Sequence, residues 1–94
     1  MAQQSKVGTV ATSVFTEDGV TRVVYHQTPV VRFDGSTVTL NSGGWKTATT
    51  KTRMNQAARQ FGLGFSVSQK DHEWFVDTSA GRVPFVDGMQ IARQ

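Results

Sequence analysis

An α+β fold is predicted: an antiparallel β-meander with one amphipathic helix packed on the sheet, followed by β-hairpins. Three observations point there. β-Branched and aromatic residues crowd the first forty positions between Asp-Gly turns, one stretch from about 49 to 61 has helical spacing, and alternating strands resume after it. The chain has 94 residues, 37% of them hydrophobic. A chain of this size buries only a little over ~60% of its unfolded surface, so a single core is expected. The organisation read from it is a disordered N-terminus over residues 1–6 and one α+β domain over residues 7–94.

From Val7 to Phe15, apolar residues mix with Thr, Ser and Gly without strict alternation, which reads as a weak or edge strand closed by Glu17-Asp18-Gly19. Val20 to His26 is β-branched and aromatic and reads as a second strand. Pro29 removes a ladder donor, so a bend or bulge is expected there. Val30 to Phe33 and Thr37 to Leu40 flank Asp34-Gly35-Ser36 and form the clearest hairpin. Val31, Phe33, Val38 and Leu40 face its core side, and Arg32, Thr37 and Thr39 its wet side.

Beyond the loop Asn41-Ser42-Gly43-Gly44-Trp45, the residues Met54, Ala57, Ala58 and Phe61 recur at i, i+3, i+4 and i+7. Gly62 stands where a left-handed cap ends such a helix. Phe65 to Gln69 and Glu73 to Asp77 alternate around Lys70-Asp71-His72 and predict a hairpin whose Trp74 is core. Val83 to Val86, Asp87-Gly88 and Met89 to Ile91 read as a short final hairpin, with Pro84 at an edge.

Charge is distributed unevenly. The net charge is only +3, but no carboxylate lies between Asp34 and Asp71, where Lys46, Lys51, Arg53, Arg59 and Lys70 fall. Backbone amides at a helix start carry partial positive charge, and glycines let a ligand approach the backbone. The candidate phosphate or nucleic-acid contacts are therefore Gly43, Gly44, Lys46, Thr49, Thr50, Lys51 and Arg53. Asn55, Gln56 and Arg59 join them on the outer helix face. Trp45 is the candidate anchor for a base or a protein partner. A turn with threonine caps explains the loop equally well, and solvation explains the polar face.

Other chemistry finds little support. The absence of cysteine excludes disulfides, thiolate nucleophiles and cysteine-held metals. His26 and His72 lack metal-ligand spacing, no phosphate-binding GxxxxGK[ST] motif is present, and no nucleophile motif appears. The chain reads as non-enzymatic, with no cofactor and no metal. No apolar stretch approaches the ~20 residues of a membrane helix, and the first six residues lack a signal-peptide core. A soluble intracellular protein without a membrane partner is expected.

The segments GGWxTxTTKxRMNQ from Gly43, FGLGFSVxQK from Phe61 and WFV from Trp74 resemble a group of small proteins of tailed bacteriophages and prophages. The resemblance covers roughly residues 22–91. It implies a viral origin and the host cytoplasm as the place of action, and it brings no catalytic residues. The functional expectation is a small binding module for nucleic acid. A host-protein partner and a virion or assembly role, with possible homo-oligomers, are the alternatives.

Overall fold

The computed structural model describes residues 12–44 and 47–93. Four strands come first: β1 (Thr12–Glu17), β2 (Val20–Tyr25), β3 (Thr28–Phe33) and β4 (Thr37–Leu40). The helix α1 (Ala48–Phe61) follows, then β5 (Phe65–Lys70), β6 (Glu73–Thr78), β7 (Gly81–Pro84) and β8 (Met89–Ala92). One antiparallel sheet has the order β1-β2-β3-β4-β8, and a second has the order β5-β6-β7. The fold is α+β, with both sheets built from hairpins.

Local chemistry sets each turn. Asp18 and Gly19 both have positive φ, as do Asp71 and His72, which gives the two-residue connections that match strand twist. At the β3–β4 turn, Asp34 Oδ1 accepts the amides of Ser36 and Thr37, each at 2.8 Å. The register of β2 against β3 shifts between Val23 and Val24, where Pro29 faces Val24. That bulge leaves Val30 as the extra residue, and Val30 and Val31 are both buried.

The core lies on one face of the larger sheet, where α1 packs on β2 and β3 and, on its other side, on β5 of the smaller sheet. Val23, Val31, Phe33, Val38 and Leu40 belong to one buried cluster with Met54, Ala57 and Ala58 of the helix and Phe65, Val67, Trp74 and Val76 of the smaller sheet. Gly62 takes the expected left-handed conformation, and its amide donates to Ala58 O. Arg93 sits over the Phe33 ring at 5.0 Å. It donates to Asp34 O and to Phe61 O, placing a cation at the helix C-terminus.

The last segments differ from the sequence expectation. Val83 and Met89 do not form a hairpin with each other: β7 pairs with β6, and β8 crosses to pair with β4. Phe85 is the reason. It is buried against Trp74 with ring centroids 5.4 Å apart, and its amide donates to Trp74 O, so the chain is pinned to β6 before it reaches Asp87. The β5–β6 hairpin, with β7, forms a sheet of its own. The expected N-terminal disorder over 1–6 and the first part of the strand from Val7 lie outside the described residues.

Two carboxylates tie stability to acid. Asp34 is held below its ordinary pKa by the Ser36 and Thr37 amides, and Asp77 by its hydrogen bond to Arg82. A lowered folded-state pKa means the stabilisation is present at neutral pH and lost as pH falls through the folded value. Urea denaturation should therefore show stability declining below about pH 4. Asp34→Asn with Asp77→Asn should flatten that decline, and an unchanged slope would refute the assignment.

Candidate nucleic-acid interface

Threonine chemistry starts the helix. Thr47 is extended and caps it, its hydroxyl accepting from Thr50 N at 3.2 Å, while Lys51 N donates to Thr47 O. The Thr50 hydroxyl turns inward to Thr47 Oγ1 at 3.1 Å, and Thr50 is fully buried. Thr50 is thus part of the cap and offers nothing to a ligand, whereas Thr49 is exposed. The first turn carries no acidic side chain, so its positive end is not offset from within the helix.

The glycine loop spends its amides internally. Gly43 N donates to Asn41 Oδ1 at 2.8 Å and Gly44 N to Ser42 Oγ at 3.2 Å. Both have positive φ, and a Cβ built on Gly43 would collide with the Thr28 side chain. Ser42, buried, donates through both its amide and its hydroxyl to Asp87 Oδ1, each at 2.7 Å. Gly43 and Gly44 therefore form a packed turn anchored to the β7–β8 connection, with no free amides for phosphate. Trp45 and Lys46 lie outside the described residues.

On α1, Lys51, Asn55 and Arg59 share one stripe at i, i+4 and i+8, facing the β5 side. Lys51 Nζ reaches Gln69 Oε1 at 3.5 Å, and Arg59 is exposed. Between them Asn55 works inward. Its Nδ2 donates to Val67 O at 3.0 Å, and its Oδ1 accepts Val67 N at 2.7 Å, as a neighbouring strand would. Asn55 therefore leaves the interface. Arg53 is also occupied, donating to Thr12 Oγ1 at 2.9 Å and to Gln56 Oε1 at 3.2 Å while lying over the Tyr25 ring. Those contacts hold Gln56 as well.

What stays exposed is a smaller cationic set than the sequence offered: Arg59 and Lys70, with Thr49 at the helix start and half-buried Lys51 reaching Gln69 beside them. Among the described residues, none of Lys51, Arg53, Arg59 or Lys70 pairs with a carboxylate; the ion pair present is Arg82–Asp77 at 2.7 Å. Nor do three His, Asp or Glu side chains among those residues converge as metal ligands.

Sequence reasoning missed the roles of Asn55 and Asp87, whose partners are 12 and 45 residues away. It also gave no weight to Arg22, although strand alternation places that residue on the side opposite buried Val23.

A family model described as Kyanoviridae Gp96 protein matches residues 1–92. No curated protein and no solved structure matches the chain.

Proposed function

The chain belongs to the Kyanoviridae Gp96 protein family of phage proteins, and from that premise we propose that it is a small non-enzymatic module that binds nucleic acid in the host cytoplasm. One observation carries the reading: the helix cations Lys51 and Arg59 form no ion pair among the described residues, and neither does Lys70, although Glu73 stands opposite it across the β5–β6 turn. Solvated helix faces usually mix both signs to gain i,i+4 pairs. An unbalanced cationic face gives up those pairs and attracts a polyanion. No described helix is long and apolar enough to cross a membrane.

Lys51→Glu with Arg59→Glu should weaken binding to a labelled oligonucleotide by at least about tenfold and flatten the dependence of affinity on salt. Melting should hardly move, because surface charges without an ion-pair partner contribute only about 0–1 kcal/mol. Absence of binding to any DNA or RNA at low salt would refute the reading. A protein-interaction or virion role is favoured instead by exposed Val83 in β7 and Val86 just beyond it. Mass spectrometry of purified particles would reveal it.

A further inference from the structure

The register of the larger sheet aligns five residues in one row on the face away from the core. Phe15 of β1 opposes Arg22 of β2, Arg22 opposes Arg32 of β3, Arg32 opposes Thr39 of β4, and Thr39 opposes Gln90 of β8. The neighbouring row, Val14, Val23, Val31 and Leu40, points the other way; all but Val14 are fully buried in the core. The outward row spans four inter-strand steps, roughly 19 Å at ~4.8 Å each.

Two features of that row are unfavourable for a face that meets only water. Arg22 and Arg32 are directly opposed, where like charges repel. Neither forms an ion pair among the described residues. The nearby carboxylates offset them only in part: Arg32 attracts Asp34, whose Oδ1 is already held by the Ser36 and Thr37 amides, and Glu17, diagonal to Arg22 and opposite Val20, forms no ion pair with it. Beside the arginines, Phe15 is 56% exposed.

We propose that this sheet face binds single-stranded nucleic acid, with Arg22 and Arg32 holding consecutive phosphates and Phe15 stacking on an unpaired base. The proposal rests on the nucleic-acid reading above but places the contact on a different surface. Paired guanidinium forks suit phosphate oxygens, and a bound polyanion removes their mutual repulsion. An exposed ring on a flat sheet offers a stacking platform that only an unstacked base can use, which selects single strands over duplex. Thr39 and Gln90 extend the row with a hydroxyl and an amide that reach sugar or base edges.

Fluorescence anisotropy with labelled oligo-dT and oligo-rU of about 12 nucleotides, and a duplex of equal length, tests this on the full chain. The single strands should bind more tightly than the duplex, and the DNA and RNA arms tell the two sources apart. Phe15→Ala should lower single-strand affinity by about tenfold. Arg22→Glu should lower it at least as much and reduce the salt slope by about one charge. Arg22→Glu should also hold or raise the melting temperature, since it turns an opposed Arg–Arg pair into Glu–Arg. That pairing of lost binding with retained stability is not produced by a merely structural arginine.

Equal affinity for duplex, or binding lost only in the Lys51→Glu, Arg59→Glu variant, would overturn the sheet-face assignment while leaving nucleic-acid binding intact. No binding by the unmodified chain would overturn both.

Discussion

Replacing Asn55 with leucine is expected to cost about 2–4 kcal/mol, because it strands two buried backbone groups at once. Val67 is buried in β5, the outer strand of its sheet, and the Asn55 amide supplies both the acceptor for its N–H and the donor for its C=O. Leucine can do neither. For a domain of this size the loss corresponds to a fall in melting temperature of about 10–25 °C by circular dichroism. Asn55→Asp separates the two bonds. Its carboxylate still accepts from Val67 N but meets Val67 O with like polarity, so this variant should be impaired at neutral pH. It should recover relative to Asn55→Leu in acid, where a protonated carboxyl donates. A loss below about 0.5 kcal/mol for Asn55→Leu, the range of ordinary surface substitutions, would show that the helix is held to β5 by apolar packing alone.

The second large effect is expected at Asp87, which looks in the sequence like no more than a turn residue. Asp87→Ala should cost about 2–3 kcal/mol, because buried Ser42 then loses the acceptor of its amide and its hydroxyl together. Hydrogen exchange at Gly43 and Gly44 should quicken in the same variant, since Ser42 Oγ in turn holds Gly44 N. Asp87→Asn keeps a carbonyl acceptor and should retain most of the stability. If Asp87→Ala melts like the unmodified protein, water replaces the carboxylate and the tie is incidental.

These two residues also mark where the sequence stops being readable. Periodicity located α1 within a residue, and Gly62 was recognisable because a left-handed cap needs a residue free of Cβ strain. The alternation of Val31, Phe33, Val38 and Leu40 identified the buried side of β3 and β4. Such signals come from neighbours within a few positions. The pairing of β8 with β4 spans some fifty residues, and no local pattern announces it. Asn55 was legible as a polar residue on a helix but not as the partner of a strand edge, because that role depends on how β5 lies beside the helix. The cationic run was visible as charge. Its division into Arg53, held by Thr12 and Gln56, Lys51, which reaches Gln69, and exposed Arg59 depends on which groups the fold brings within reach.

The grip of Asn55 on Val67 has a consequence for how copies of this chain can polymerise. Fibril growth by strand addition needs a row of unclaimed amides and carbonyls, and along β5 the Val67 pair is already taken. Cross-β stacking would have to begin from another strand edge instead, so concentrated solutions would meet a molecule blunted on that flank.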